Sequence, residues 1–514
     1  MQGHTNLREL DITNCKGAQD RRTGHELSLL SLEKLELTSM PDMRCIWKGL
    51  VLSHLTTLEL WYCEKLTHVF TGSMVASLVQ LQFLRISGCS ELEQIIAKDN
   101  DDEKDQILFG CMKLRTLELR GLHKLTFIFT PHLAQSLVHL ETLRIEECSG
   151  LKHLISEKDD EREIIPESLR FPKLKTLFIR GCDQLEYVFP VSVSPSLLNL
   201  EKMAIEFGAN LKQIFYRGEG DALTRDGIIN FPQLRKLSLS RPKNFTAQLP
   251  SLQVLAIEGH KELGNFLAQL QGHTNLREIH ITDCKGAQEL MQVGRTGHEL
   301  SLLSLEKLDL ESLPDMRCIW KGLVPNHLTT LEVYDCQKLT HVFTGIMVAS
   351  LVQLKSLHIS DCEGLEQIIA KDNDDEKDQI LSGSDLQSLC FPSLCKVEIY
   401  RCNKLRSLFP VAMASGLPKL ETLDVAESSQ LLGVFGQDDV ASPVNVEKQM
   451  VLPNLSSLCL YNLPSIVCFS LGCDDFLFPR QLNPAVRNCP KLTIKFANKT
   501  NGSMSTQSEV SQSS

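Results

Sequence analysis

No stretch of this sequence approaches the ~18 uninterrupted apolar residues that a membrane-crossing helix requires, so no membrane span is expected. No apolar run with a basic flank lies near Met1, so no secretory leader is expected either. Nothing matches G-x-x-x-x-G-K-[ST], the loop whose backbone donors and lysine hold nucleotide phosphates; the glycines are scattered as turn residues. Zinc needs cysteines in close pairs, and the nearest candidates, Cys390 with Cys395 and Cys468 with Cys473, each lack a second half. The 15 histidines have no nucleophile motif around them, and no nucleophile, base and orienting group assemble. Cations are outnumbered: 53 Lys and Arg stand against 64 Asp and Glu, a formal net charge of -11. That balance argues against a nucleic-acid partner, which needs a basic face to release phosphate counterions. We therefore expect no enzyme, no cofactor and no metal.

What the chain does have is repetition. Leu-x-x-Leu-x-(Leu/Ile)-x-x-Cys appears as Leu55, Leu58, Leu60, Cys63; as Leu81, Leu84, Ile86, Cys89; as Leu140, Leu143, Ile145, Cys148; and as Leu174, Leu177, Ile179, Cys182. About seventeen copies follow at a period of roughly 23 to 35 residues, the leucine-rich-repeat range or somewhat longer. Such a repeat cannot bury its apolar side alone, so the copies must stack. The Leu-x-Leu segment has the period of a short half-buried strand, and the residues after it turn inward with a looser, 3₁₀-like spacing. The expected fold is an α/β solenoid: a leucine-rich-repeat horseshoe with a concave parallel β-sheet and a convex side of loops, 3₁₀ turns and short helices.

Nine of the 18 cysteines (Cys15, Cys63, Cys89, Cys148, Cys182, Cys284, Cys336, Cys362, Cys402) occupy one place in the repeat. That periodic use fits reduced thiols forming a structural ladder in a cytoplasmic or nuclear compartment. Trp320 and Trp47, in duplicated "MRCIWKG" segments, are expected to pack in the core or on the convex side. Acidic inserts at 98–106, 156–163 and 371–379 precede restarts such as Phe171-Pro172 and Phe391-Pro392, and read as solvated loops. A second level of repetition is present: residues 2–108 recur almost intact as 271–381. The first repeat opens without a polar cap, as expected of the C-terminal part of something longer or of a truncated product. We assign residues 1–496 to one solenoid and expect a disordered tail at 497–514.

The strand pattern sorts residues by face. In the repeat from Leu55, the leucines point inward, so Thr57, Glu59, Trp61 and Tyr62 face the concave surface or its edge. The next repeat offers Phe83, Arg85, Ser87 and Gly88. Residues 54–108 differ from 327–381 at 11 of 55 positions. Only eight of the 55 are concave-facing, yet five of the changes fall on them: Trp61 to Tyr334, Tyr62 to Asp335, Phe83 to Ser356, Arg85 to His358 and Gly88 to Asp361. Even scatter would place fewer than two there. Three more, at Glu64, Ser90 and Glu91, lie just past the strands. A constant frame with a changing face is the pattern of a recognition surface, and Trp, Tyr, Phe and Arg are the usual anchors of protein interfaces.

These features together resemble the C-terminal leucine-rich-repeat region of plant intracellular coiled-coil, nucleotide-binding, leucine-rich-repeat disease resistance proteins. The resemblance rests on Leu174, Leu177, Ile179, Cys182 and Leu185 with Cys where many repeats have Asn. It rests also on the Phe-Pro restarts at Phe171, Phe231 and Phe391, and on the terminal "NCPKL" from Asn488. It implies a non-enzymatic recognition module of plant innate immunity, binding a pathogen effector or a guarded host protein. It implies contacts at Thr57, Glu59, Trp61, Tyr62, Phe83 and Arg85, and in the second copy at Tyr334, Asp335, His358 and Asp361. A nucleotide-binding receptor module, absent from this chain, is a further implied partner; ATP or ADP binding is not carried over. Competing readings are a substrate-receptor or other adaptor, which would want an F-box-like helical segment ahead of the repeats; an extracellular receptor ectodomain; and a receptor fragment without independent activity.

Overall fold

The computed structural model describes residues 7–16, 31–46, 52–75, 77–97, 113–156, 170–216, 229–241, 247–264, 275–286, 288–292, 304–321, 326–370, 390–436, 450–470, 476–477, 482–493, 497–498 and 504–505. The chain divides into two compact units, Met1–Leu252 and Gln253–Ser514. The acidic inserts at 98–106 and 371–379, most of that at 156–163, and Trp47 lie outside the described residues.

In the first unit nine five-residue strands run parallel: Glu9–Thr13, Lys34–Thr38, Thr57–Trp61, Phe83–Ser87, Thr116–Arg120, Thr142–Glu146, Thr176–Arg180, Lys202–Glu206 and Lys236–Ser240. Each pairs with the next along the chain. The second unit repeats the plan with nine: Val254–Glu258, Glu278–Thr282, Lys307–Glu311, Thr330–Tyr334, Ser356–Ser360, Lys396–Tyr400, Thr422–Ala426, Ser457–Tyr461 and Asn483–Arg487.

The register is in phase throughout. Leu58 lies opposite Leu35 on one side and Leu84 on the other. Period-two alternation therefore gathers the leucines into columns behind the sheet, and Leu35, Leu58, Leu84, Leu117, Leu143 and Leu177 are all buried. Each buried leucine contributes about 1.5–3 kcal/mol of transfer free energy. The alternate side chains stand on the opposite, open face.

A turn closes each strand, and it explains Cys-x-x-Leu. The Leu66 N–H donates to the Cys63 carbonyl at 3.1 Å, and Leu92 to Cys89, Leu151 to Cys148 and Leu365 to Cys362 do the same at 3.1 Å. The ladder thiols lie against the carbonyl two residues back: Cys336, Cys362 and Cys402 donate to Tyr334, Ser360 and Tyr400 at 3.4 Å. At the same register Ser428 donates to Ala426 at 3.2 Å and accepts from the Cys402 N–H at 3.2 Å.

The residue just before the Cys position is left-handed in every strand of both units. Tyr62 has φ +52°, Glu147 +55°, Asp335 +50° and Asp361 +58°, while Gly88, Gly121, Gly181 and Gly259 occupy the position with φ between +63° and +68°. No β-branched residue appears there, as sterics demand. The left-handed step turns the chain out of the strand while its N–H still bonds the neighbouring strand, Tyr62 to the Ser87 carbonyl at 2.8 Å for example.

The far side of the core departs from expectation in one respect. Beside 3₁₀ turns and short helices it carries short parallel strand pairs, such as His68–Thr71 with Gln94–Ala97 and His341–Thr344 with Gln367–Ala370. The helix Pro131–Ser136 follows one of these strands, with Thr130 accepting from the Leu133 N–H and proline at the helix start, where no N–H is needed. Trp320 is buried on this side.

Here the Phe-Pro restarts acquire a purpose. Phe129, Phe171, Phe189, Phe215 and Phe231 form a row with ring centroids 5.5–6.5 Å apart. In the second unit Phe343, Phe391, Phe409, Phe435 and Phe469 do likewise at 5.7–6.4 Å. Ala497–Asn498 pairs antiparallel with Met504–Ser505.

Candidate recognition surface

On the open face of the first unit, neighbouring strands place alternating charges in one row. Lys34 reaches Glu59 at 3.3 Å; Glu59 meets Arg85 at 3.3 Å; the Arg85 Nε donates to Glu118 at 2.7 Å. Glu59 and Glu36 together raise the Lys34 ammonium above its ordinary value. The Arg85 guanidinium also lies 5.4 Å from the Trp61 ring centroid and 5.2 Å from that of Phe83, within cation–π reach of both. Further along, Arg144 covers Phe178 at 4.2 Å and Arg180 covers Phe207 at 5.1 Å. Thr57, Glu59, Trp61, Phe83 and Arg85 are half-buried. The Trp61 Nε1 is enclosed without a hydrogen-bond partner. Tyr62 is 58% exposed and lies over Gly88, the strand-closing glycine of the next repeat.

The second unit keeps the frame of this row and changes its contents. Lys307 reaches Glu332 at 3.1 Å, as Lys34 reaches Glu59. His358 replaces Arg85, and its Nδ1 lies 3.0 Å from Glu398, the counterpart of Glu118. Burial opposes ionisation of Glu398, but Lys396 and His358 outweigh it and hold the carboxyl below its ordinary value. Tyr334 and Tyr400 flank His358, with ring centroids 4.8 and 5.4 Å away. Tyr400 donates to Asp424 at 2.8 Å. At the strand ends, Arg401 grips Asp361 with two nitrogens, one at 2.7 Å, and reaches Glu427 at 3.5 Å. The Arg401 guanidinium holds the Asp361 carboxyl below its usual range. Asp335 accepts from Ser312 at 3.0 Å. Asp335, Asp361 and Arg401, with Gln337, Glu363 and Asn403, line a cavity of about 250 Å³.

Every residue of the two recognition rows singled out in the sequence thus stands on the open face or at its rim. Within the first unit Thr57, Glu59, Trp61, Tyr62, Phe83 and Arg85 are brought together; within the second, Tyr334, Asp335, His358 and Asp361. Sequence reasoning missed their partners Glu118, Glu398, Tyr400, Arg401 and Asp424. These lie beyond 108 and 381, where the duplicated blocks stop aligning.

The fold defines the chain as a leucine-rich-repeat solenoid. A family model for plant disease resistance protein RPS2-like leucine-rich repeats matches residues 2–90, 150–247, 242–363 and 376–429, and the chain belongs to that family. Among its relatives, disease resistance protein UNI of Arabidopsis thaliana is 25% identical over 69% of this chain and 38% of its own length. A putative FBD-associated F-box protein of the same plant is 24% identical over 52% of this chain and 60% of its own. The chain spans less than two thirds of either relative. Among solved structures, the crystal structure of a TLR13–ssRNA13 complex is 16% identical, with a TM-score of 0.42, covering 89% of this chain and 67% of that one. No helix among the described residues is long and apolar enough to cross a membrane.

Proposed function

We propose that this chain is a non-enzymatic protein-recognition module of plant defence, acting in the cytoplasm or nucleus. Its open strand face would sense a pathogen effector or a guarded host protein. One observation carries the reading. In two nearly identical blocks the leucine and cysteine frame is held, apart from Leu60 to Val333, while the row Trp61, Tyr62, Phe83, Arg85, Gly88 becomes Tyr334, Asp335, Ser356, His358, Asp361. The row belongs to the open face and rim of the sheet, so altering it leaves the leucine columns intact.

The test is proximity labelling in plant tissue with the full chain, followed by binding measurements on each candidate using purified proteins. Alanine at Trp61, Tyr62, Phe83 and Arg85 together is expected to weaken an authentic ligand at least tenfold while preserving the melting transition. Unchanged affinity for every such ligand would remove the surface assignment. The similarity to an F-box relative supports a second reading, selection of a protein substrate for a larger complex. It uses the same face and differs in the partner found beside it.

A further inference from the structure

The two open faces are chemically unlike. At the three outward strand positions and the left-handed position that follows, the nine strands of the first unit carry eight carboxylates and eight cationic side chains. The same positions of the second unit carry eleven carboxylates and four cations. The first face is balanced, and three of its arginines, Arg85, Arg144 and Arg180, are covered by aromatic rings. The second is strongly negative.

Several of its carboxylates are not matched to a permanent cation. Asp309 faces His280 at 3.2 Å, Asp335 accepts from Ser312, and Asp424 accepts from Tyr400. The second Asp424 oxygen receives no hydrogen bond. Aromatic rings stand among these acids: Tyr334 and Tyr400 flank His358, and Tyr461 is 40% exposed. Carboxylates interleaved with tyrosine faces suit a planar guanidinium, which donates forked hydrogen bonds and stacks on a ring; an ammonium gains less from both.

We infer that the open face of the second unit takes an extended, arginine-bearing segment of a partner protein. This rests on the recognition reading above and names the chemistry of its ligand. The spacing supports an extended chain laid across the strands. Asp309 and Asp424 stand on strands separated by three others, roughly 19 Å apart, and six residues of extended chain cover about that distance.

The experiment titrates the full chain with a fluorescent peptide of about 15 residues bearing arginine at every third position, beside its lysine counterpart. It is run at low and at physiological ionic strength, because surface charge attraction is screened by salt. The arginine peptide is expected to bind about fivefold or more tighter than the lysine peptide. Asp309→Asn, Asp335→Asn and Asp424→Asn together should weaken it about tenfold; Asp424→Asn alone, the milder variant, should weaken it about threefold. Glu146→Gln with Glu206→Gln on the first unit should change it less than twofold. Equal binding of the two peptides, or binding indifferent to these second-unit carboxylates, overturns the inference. So does binding lost only when the acidic stretch at 371–379 is neutralised. If the peptide fails while an authentic ligand still depends on Trp61 and Arg85, the charge assignment is wrong and the recognition reading survives. If no ligand depends on either face, the recognition reading itself has failed.

Discussion

Gly88 offers a stringent test of how the strand ends are built. It sits at φ +68°, and a β-carbon there would lie 2.5 Å from the Tyr62 Cδ1 and 2.9 Å from Cε1. Gly121 occupies the same register at φ +63° with nothing nearer than 3.7 Å. Gly121→Ala should therefore show the bare cost of a side chain in the left-handed region, about 1 kcal/mol. Gly88→Ala should carry that cost and displace the Tyr62 ring as well. The ring is 58% exposed and can swing away, so the penalty is lost contact rather than an irreparable clash. At about 25 cal/mol per Å² and roughly 40 Å² of re-exposed surface, the loss is about 1 kcal/mol more. In a Tyr62→Asp background the second contribution is already gone, so Gly88→Ala should fall back to about 1 kcal/mol. Urea unfolding of the four members of the cycle, compared at a shared slope, gives the coupling directly. A Gly88→Ala cost that agrees in the two backgrounds within about 0.3 kcal/mol, or that matches Gly121→Ala, refutes the argument.

Four further outcomes are expected. Ser428→Ala removes the acceptor of the buried Cys402 N–H and should destabilise by about 1–3 kcal/mol by urea denaturation; a neutral result would mean that the N–H finds another partner. Phe391→Ala breaks the phenylalanine row at a fully buried ring and should cost about 3–5 kcal/mol in the same assay. Alkylation followed by mass spectrometry should label Cys15, the exposed member of the ladder, first and its buried members only on unfolding, since burial pushes thiols such as Cys284 up to about 11; early labelling of Cys336 or Cys362 would contradict the ladder. The hydrogen bond that protonated His280 donates to Asp309 raises the His280 pKa, so its stabilising contribution is full below the unfolded value of about 6.5 and is lost as pH rises through the higher folded value. The stability gap between wild type and His280→Asn should therefore be wider at about pH 5.5 than at about pH 8, and a gap that widens upward would reverse the assignment. His341, whose pKa burial alone lowers, should behave with the opposite sign.

Much of the architecture was legible because leucine spacing is a direct record of packing. The residues at Leu58 and Leu60 must be apolar for the units to stack, and period two then dictates that Glu59 and Trp61 face outward. The phenylalanine rows were harder to see. Phe171 and Phe391 follow inserts of varying length, so their recurrence has no fixed period, and only the folded chain brings each beside Phe189 or Phe409. The partners of the recognition row were hidden for a related reason. Glu118 and Glu398 play one role against Arg85 and His358, yet they lie 33 and 40 residues downstream of them.

The left-handed position was hidden by its own composition. Fourteen of its eighteen occupants are not glycine. Asn14, Asn462, Asn488, Asp283, Asp335 and Asp361 fit the preference of short polar side chains for that region, but Tyr62, Phe207 and Arg241 do not. A bulky residue held there for no packing gain inside the core is better understood as surface chemistry that tolerates about 1 kcal/mol of backbone cost. This also alters how the duplicated blocks are weighed. The Tyr62 ring packs on the glycine beneath it, so we count the changes of Tyr62 to Asp335 and Gly88 to Asp361 as one linked event. Releasing the glycine then allows Asp361 to take the grip of Arg401, where the first unit has only Gly121. Four independent changes remain on a face where chance would place fewer than two, and they share a direction. Trp, Phe and Arg give way to Tyr, Ser and His, and a carboxylate replaces the tyrosine. A mosaic of cations under aromatic rings becomes a face of acids and hydroxyls, which is the chemical difference an arginine-bearing ligand would detect.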